Sequence, residues 1–400
     1  MSLAGKVVRA VCDGTFFRRV VRNLFLNTKI CSLYAPVAIL RRVRPRKVVM
    51  ANFAGMGFAD NPKYIAERLH GTDSEWEIVW LVDFFRLRDA HGFPDYVRVV
   101  DMYSFAALRE YATARFWIDD ARKTYFPHKK KTQIYIQTWH GGIGPKKIEA
   151  DVMDRLDKVY VAKAKKDSSL TDLCISGSDL LTGLYKRSFW YSGEILECGS
   201  PRNDVFFGGK DFSWVKERLG VPGKKLCLYA PTFRNDFTLS RYTIDYDMVR
   251  DELAGRFGGE WAVAVRLHPN FLGRDFGALP RSVIDVTEWQ DTQELLAACD
   301  CVITDYSSLV YDFMLTGRPV FLFATDLQEF TSKERSLNFS LDSAPFPLSQ
   351  SNGELADAIR NFRQEDYETR IADFSRRFGV RDDGHASERV VQWMLGKKEE

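Results

Sequence analysis

The stretch Asp300–Phe323 constrains the fold more than any other part of this 400-residue chain. A short β-branched run, Val302–Thr304, predicts a buried strand, and apolar residues at helical spacing follow it. The Ser307–Ser308 pair offers N-caps for that helix, Gly317 predicts its end, and Val320 begins a second strand. A strand, helix, strand unit of this kind builds a parallel sheet, whose ligands bind beyond the carboxyl ends of the strands.

Asp305, Ser307 and Ser308 fall at that carboxyl end, where the predicted helix begins. The first N–H groups of a helix have no partner within it and carry the positive end of the dipole, so they bind anions, and serine hydroxyls add donors. The alternative interpretation is that the serines only cap the helix and Asp305 only ends the strand. Taken alone, capping is favoured because it is the common use of these residues.

Length and composition indicate an ordinary globular protein with two domains. Four hundred residues exceed what one hydrophobic core usually serves, and 45% hydrophobic with 28% charged residues is typical of soluble domains. The seven cysteines form no CxxC pair and no zinc spacing. We therefore expect small buried thiols in a reducing compartment.

Residues 1–46 depart from this composition. They carry ten lysines and arginines against a single acid, Asp13, with apolar residues between the charges. Arginines interrupt every apolar run before it is long enough to span a bilayer. The pattern predicts a basic amphipathic segment on an anionic membrane surface. A helix that docks on the body of the protein is the first alternative, and an RNA-binding arm is the second.

From Lys47 the chain alternates strands and helices, and a predicted strand, Ile134–Thr138, leads to His140, Gly141 and Gly142. A histidine at the carboxyl end of a strand can act as a general base near neutral pH, and glycines let a substrate approach the backbone. The alternative is a histidine that orients the glycine turn. Lys146 follows on the same loop, where it attracts a phosphate or simply solvates the loop.

The hexapeptide Gly199–Asp204 is dense in turn-forming residues, so a structural turn is its default interpretation. Arg202 could instead reach into a cleft, together with its neighbours Asn203 and Asp204. A domain boundary is predicted close after this turn, near residues 207–222, where glycines bracket a helix.

The second half of the chain contains further strands that end in polar residues, as in the stretch Asp300–Phe323. Leu226–Ala230 and Trp261–Leu267 are predicted strands that stop at polar residues, as the strand before Asp305 does. In a doubly wound sheet the carboxyl ends of three such strands lie on one rim. Two arginines, a histidine and three hydroxyls there match a pyrophosphate. The predicted donor rim comprises Thr232, Arg234, Arg266, His268, Asp305, Ser307 and Ser308.

Five motifs follow one another in the chain: Thr138–Gly142, Gly199–Asp204, Leu228–Arg234, Arg266–Pro269 and Ile303–Ser308. In order and spacing they resemble the CDP-glycerol glycerophosphotransferase family, which includes teichoic acid primases and polymerases. The resemblance runs from about Lys47 to Leu395 and departs from the family pattern at Gly142, where many relatives have threonine.

The resemblance implies an α/β fold of two Rossmann-like domains that face each other across a cleft, the glycosyltransferase-B type. Residues 47–210 would form the acceptor domain and residues 211–380 the CDP-donor domain. Residues 381–400 would form a helix that crosses back and a tail, and residues 1–46 the basic amphipathic segment.

The function that the resemblance implies is transfer of glycerol phosphate or ribitol phosphate from CDP-glycerol or CDP-ribitol. The acceptor would be a hydroxyl of a lipid-linked polyol phosphate, a saccharide or a growing teichoic acid or capsule polymer, at the cytoplasmic face of a bacterial membrane. By the same likeness His140 is the general base, and His268 with Arg266 stabilises the donor phosphates as CMP leaves. The acceptor side or cleft would be lined by Gly141, Gly142, Lys146, Arg202, Asn203 and Asp204.

Two other functions fit part of the pattern. A glycosyltransferase of the same architecture that uses a nucleotide sugar would need a carboxylate-rich clamp near the donor rim. A membrane-binding or nucleic-acid-binding protein without turnover would explain only the basic first segment, and no nucleic-acid partner is expected. No metal-ligand cluster stands out and no cofactor is firmly implied, but Mg²⁺ shared with a pyrophosphate would need few protein ligands.

Overall fold

The computed structural model describes residues 15–26, 29–87, 92–232, 243–267, 279–330 and 337–398. In this part of the chain, the first half builds a parallel sheet with the strand order β3-β2-β1-β4-β5-β6-β7. The strands are β1 (Arg44–Ala51), β2 (Glu77–Val82), β3 (Val97–Asp101), β4 (Ala114–Asp119), β5 (Ile134–Gln137), β6 (Leu173–Ser176) and β7 (Glu194–Glu197).

The second half builds another parallel sheet, in the order β10-β9-β8-β11-β12-β13 over the described residues. Its strands are β8 (Lys225–Tyr229), β9 (Trp261–Val265), β10 (Val283–Asp285), β11 (Cys301–Thr304), β12 (Val320–Phe323) and β13 (Leu348–Ser349). In both sheets the order reverses beside the first strand of the half, as in doubly wound folds, so the predicted α/β class with two Rossmann-like halves is confirmed.

Helices connect these strands. In the first half the α-helices are Thr15–Leu26, Lys29–Leu40, Asp60–Thr72, Phe105–Thr113, Lys158–Leu170 and Asp179–Ser188, with 3₁₀ helices at Glu149–Arg155 and Pro201–Phe206. In the second half the α-helices are Ser213–Arg218, Tyr246–Phe257, Thr292–Ala298, Leu309–Phe313, Leu327–Glu329, Asn352–Arg360, Gln364–Phe378 and Ala386–Lys398, with 3₁₀ helices at Met314–Thr316 and Leu341–Ser343.

Each sheet has its own hydrophobic core. The inner strands are buried on both faces because helices cover both sides, which is why they are continuous apolar runs rather than alternating ones. Val390, Val391 and Met394 of the last helix pack in the core of the first sheet, so this helix returns to the first half of the protein. The domain boundaries at residues 46, 210 and 380 stay predictions.

The two N-terminal helices dock on the other face of the first sheet. Phe25 is fully buried with its ring 5.2 Å from that of Tyr125, and Arg22 forms an ion pair of 3.5 Å with Asp83. Lys163 Nζ donates to the carbonyl oxygen of Leu26 at 3.1 Å. The first alternative interpretation, a helix that docks on the body of the protein, therefore applies to the inner side of this segment.

A membrane span was not expected in this segment. In the described part of the chain, no single helix is long and apolar enough to cross a bilayer. Val20–Leu26 and Lys29–Leu40, bent by 74° relative to each other, pass that test of length and composition only as a pair.

Candidate active site

The site begins at a strained corner after β5. Trp139 has a φ of 53°, in the left-handed region that bulky residues rarely adopt. Its N–H donates to Gln137 Oε1 at 2.9 Å, and its carbonyl oxygen accepts from Asn61 Nδ2 at 2.9 Å. Such a conformation costs on the order of 1–3 kcal/mol and persists only where the surroundings hold it. The chain therefore keeps the next residue, His140, in a fixed position.

His140 has the chemical form that a general base requires. Its Nδ1 lies 2.6 Å from the carbonyl oxygen of Asp120. Because a carbonyl oxygen only accepts, Nδ1 carries the proton, and Nε2 keeps a lone pair. Burial lowers the pKa of His140, opposed by its bond to Asp120 and by the charge of Asp60, so the ring is neutral at pH 7.

The carboxyl group of Asp120 lies within the same corner. Its Oδ1 accepts from the N–H of Phe53 at 2.7 Å, while Oδ2 is buried without a hydrogen-bond partner in the described structure. Burial, followed by the charge of Asp60, raises the pKa of Asp120. The ring of Phe53 in turn packs 4.8 Å from that of His140. Loop 52–54 and the His140 corner are thus held together.

The glycine turn after His140 is held by another residue. The carbonyl oxygen of Gly142 accepts from Ser178 Oγ at 3.0 Å, and a Cβ at Gly142 would lie 3.3 Å from Ser200 Oγ. A Cβ at Gly141 would lie 3.9 Å from the ring of Trp139. The alternative that His140 serves to orient this turn therefore has no hydrogen bond to support it among the described contacts.

The loop that follows crosses from the first half to the second. Ile143 is 4% exposed and packs in the core of the second sheet, and the carbonyl oxygen of Pro145 accepts from the N–H of Asn338 at 2.5 Å. Lys146 Nζ donates to Thr232 Oγ1 at 3.4 Å. Lys146, predicted to line the acceptor side or the cleft, thus contacts Thr232 of the predicted donor rim.

Asp305 holds together two strand ends of the predicted donor rim. Its Oδ1 accepts from the N–H groups of Thr232, at 2.8 Å, and Tyr306, at 2.5 Å, which joins the ends of β8 and β11. Ser307 Oγ lies 3.5 Å from the N–H of Leu309, whereas Ser308 forms no side-chain cap. Because the following helix has only five residues, the predicted contribution of its dipole is small.

Arg266 lies at the end of β9 on the same rim. Its Nη2 donates to the carbonyl oxygen of Trp289 at 3.0 Å, and its buried Nε has no hydrogen-bond partner in the described structure. Burial lowers the pKa of Arg266 to about 10. A desolvated guanidinium with unused donor capacity is suited to an anionic ligand. Two other members of the predicted rim, Arg234 and His268, lie outside the described residues.

Arg202 and its neighbours occupy an interior position. The segment Gly199–Asp204 is not a plain turn, because Pro201–Phe206 forms a 3₁₀ helix. Arg202 and Asn203 are both buried. Asp204 accepts from the N–H groups of Ala386 and Ser387, at 2.9 and 2.7 Å, so its carboxylate caps the last helix. These side chains are engaged by protein groups.

Sequence reasoning gave no role to the carboxylates that surround His140 and Arg202, namely Asp60, Asp120 and Asp312. Asp120 had a detectable signal, because it follows the carboxyl end of β4, next to the strand that leads to His140. Asp60 had none, since it is the first residue of the helix Asp60–Thr72 and has a φ of 56°. Among the described residues, no group of three His, Cys, Asp or Glu side chains could hold a metal ion.

The two parallel doubly wound sheets carry His140 at the edge of the first and Arg266 with the serine pair at the edge of the second. This architecture is of the glycosyltransferase-B type. Within this class, the chain belongs to the CDP-glycerol:poly(glycerophosphate) glycerophosphotransferase family, whose model matches residues 33–396.

Bacterial relatives agree with this assignment. The chain is 31% identical over 394 residues to a teichoic acid poly(glycerol phosphate) polymerase of Staphylococcus epidermidis, covering 93% of this chain and 54% of that protein. A Bacillus subtilis protein of the same name is 30% identical over 392 residues, covering 93% of this chain and 51% of its own length. The chain thus spans about half the length of these two relatives.

A solved structure gives the same result for the fold. The wall teichoic acid polymerase TagF, in a variant soaked with CDPG, superposes with a TM-score of 0.80 at 28% identity. The match covers 97% of this chain and 98% of that one. It includes both sheets.

Proposed function

We propose that this protein transfers glycerol phosphate from CDP-glycerol to a hydroxyl of a lipid-linked polyol-phosphate or saccharide acceptor and releases CMP. The observation that carries the proposal is the pairing across the interface of the two halves. His140 offers an unprotonated Nε2 on one side, and Arg266 offers unused guanidinium donors on the other. Family membership and the glycerol phosphate named in both relatives support the choice of donor.

The reaction follows from this arrangement. His140 Nε2 takes the proton of the acceptor hydroxyl, whose oxygen attacks the phosphorus that carries glycerol. The bond from that phosphorus to the bridging oxygen breaks, and CMP leaves with the bridging oxygen and its electron pair. Attacking and leaving oxygens must lie in line, so a base and an anion clamp on opposite sides are required.

The groups that stabilise the leaving CMP would come mainly from the second half. Arg266 and the hydroxyls of Ser307 and Ser308 would bind the donor phosphates, and the family likeness adds His268 and Arg234, outside the described residues. Lys146 would add a cation from the first half, because its Nζ lies 3.4 Å from Thr232 Oγ1 at the donor rim. This assignment makes the loop 141–147 part of both subsites.

We expect the protein to release CMP from CDP-glycerol only when an oligomeric or lipid-linked glycerol phosphate acceptor is present. The measurement is CMP formation by chromatography with CDP-glycerol, CDP-ribitol and UDP-glucose in parallel. Faster turnover of CDP-ribitol than of CDP-glycerol would show that ribitol phosphate is the transferred group, because the two donors differ only in their polyol. Turnover of UDP-glucose alone, or of no nucleotide, would contradict the proposed reaction.

We also propose that the outer side of the N-terminal helices lies on the anionic cytoplasmic face of the membrane, where a lipid-linked acceptor would be found. Leu33 is 80% exposed, Leu40 88% and Phe105 60%, and the Phe105 ring lies 6.5 Å from that of Tyr34, beside Leu33 in sequence. Exposed lysine and arginine side chains lie at the ends of the same helix, at Lys29, Arg41 and Arg42. Apolar side chains flanked by basic ones are typical of interfacial binding.

The double substitution Leu33→Asp with Leu40→Asp should lower binding to vesicles that contain phosphatidylglycerol by at least about tenfold. Withdrawing each leucine from an apolar environment costs roughly 1.5–3 kcal/mol. Cosedimentation with such vesicles, and with neutral ones, measures the effect. Trp214→Asp, which charges an exposed aromatic residue of the second half, is the matched control. Equal binding by the wild type and the double variant would exclude this surface.

A further inference from the structure

Arg202 contacts both the strained corner that carries His140 and the helix that follows the serine pair. Its side chain is buried, 5% exposed, on the 3₁₀ helix Pro201–Phe206. The guanidinium is held between two carboxylates, from Asp60 in the first half and Asp312 in the second. Because a buried cation is stable only when paired, both carboxylates are needed to keep it there.

On the base side, Arg202 holds His140 directly. Its Nη1 donates to the carbonyl oxygen of His140 at 2.7 Å and to Asp60 Oδ2 at 2.8 Å. The N–H of Arg202 donates to Asn61 Oδ1 at 3.0 Å, and the amide of Asn61 in turn holds the carbonyl oxygen of Trp139. The two residues of the strained corner are therefore both tied to the segment that carries Arg202.

On the donor side, Arg202 holds the helix that follows the serine pair. Its Nη2 donates to Asp312 Oδ2 at 2.7 Å, and Asp312 belongs to the helix Leu309–Phe313, which begins directly after Ser308. Asn203 Nδ2 and Gln293 Nε2 donate to the same carboxylate, at 3.1 Å each. With three donors, Asp312 is held in one orientation.

We propose that Arg202 is a positioning residue that sets His140 at the correct distance and orientation from the donor segment Ser307–Phe313. This inference rests on the proposed function. The planar guanidinium fork suits the role, because its bonds to His140, Asp60 and Asp312 leave in fixed directions. Lysine at this position would keep the charge but could not hold all three groups in the same geometry.

A second ion pair between the halves provides a matched control. Lys63 Nζ donates to Asp291 Oδ2 at 2.6 Å and Glu294 Oε1 at 2.5 Å, and Lys63 is also buried. It forms no hydrogen bond with the His140 corner or with the helix Leu309–Phe313 in the described structure. Lys63→Met therefore removes a buried bridge between the halves without releasing the base or the donor segment.

The test compares wild type, Arg202→Met, Arg202→Lys and Lys63→Met in CMP release with CDP-glycerol and acceptor. We expect Arg202→Met to lower kcat about 10²-fold at unchanged KM for CDP-glycerol, because small misplacements of reacting groups have effects of this order. Arg202→Lys should recover part of the loss. Lys63→Met should lower the melting temperature without the selective loss of kcat.

The pH profile of kcat separates positioning from a general loss of structure. Asp60, Glu149 and Arg202 are the charged groups that act on His140, and Arg202 is the one among them that lowers its pKa, as burial also does. Asp120 raises the pKa of His140 through its backbone carbonyl oxygen. Removing this cation in Arg202→Met should shift the acidic limb to higher pH, whereas Arg202→Lys should leave the limb in place. Lys63→Met should also leave it in place.

The inference is overturned if Arg202→Met matches Lys63→Met in kcat and in the acidic limb. If Arg202→Met does not fold, Asp312→Asn decides, since it removes the donor-side carboxylate and leaves the His140 contact. A lower kcat at unchanged KM then supports the role, and an unchanged kcat overturns it. A wild type that releases no CMP overturns the proposed function itself, whereas an active wild type with normal Arg202 variants overturns only this inference.

Discussion

His140→Ala is expected to lower kcat for transfer by about 10²–10⁴-fold, the usual contribution of a positioned general base. The variant lacks His140 Nε2, which in the described structure is the only ring nitrogen at this corner with an available lone pair. The Trp139 turn should persist, because its bonds to Gln137 and Asn61 do not involve the His140 side chain. CMP release under saturating donor and acceptor, with circular dichroism to verify folding, measures the effect.

The control for this prediction is His385→Ala, which removes an exposed histidine paired with Glu388 at 3.2 Å. Its kcat should equal that of the wild type. The lowered pKa of His140 also predicts that the wild type keeps its activity until the pH falls below the ordinary histidine value of about 6.5. A folded His140→Ala protein with the wild-type rate would show that the ring supports only the local structure.

Arg266→Met should raise KM for CDP-glycerol roughly 10- to 150-fold, the equivalent of losing a charge-assisted hydrogen bond worth about 1.5–3 kcal/mol. Stability should fall little, because the methionine replaces a cation that burial disfavours, as its pKa of about 10 shows. Steady-state kinetics over a range of donor concentrations, together with thermal unfolding, distinguish these two effects.

Arg266→Lys should give an intermediate KM, because lysine keeps the charge but loses the fork of donors. Arg360→Met is the control, since Arg360 is exposed and pairs only with Glu252 and Asp357 among the described residues. An unchanged KM in Arg266→Met would mean that the donor phosphates bind elsewhere on the rim.

The local pattern was sufficient for most of the fold. The predicted strands Val302–Thr304 and Leu226–Ala230 form as Cys301–Thr304 and Lys225–Tyr229, with each end within one residue of the prediction. These segments are apolar runs bounded by turn residues, and their burial depends on hydrophobicity more than on the neighbour that covers them. Gly317, with a φ of 69°, ends its helix as expected, because that conformation is a property of the residue itself.

The sequence by itself also determined that His140 stands at the carboxyl end of a strand and that Arg266 and the serine pair share the rim of another sheet. It did so because strand ends are set locally, and parallel strands bring their carboxyl ends to one edge. Only the tertiary structure decided what these residues touch. Arg202 and Asp312 are 110 positions apart in the chain, and Lys146 and Thr232 are 86 apart. Such pairs form when the two halves dock, because a buried charge pairs with whichever opposite charge the docking brings within reach.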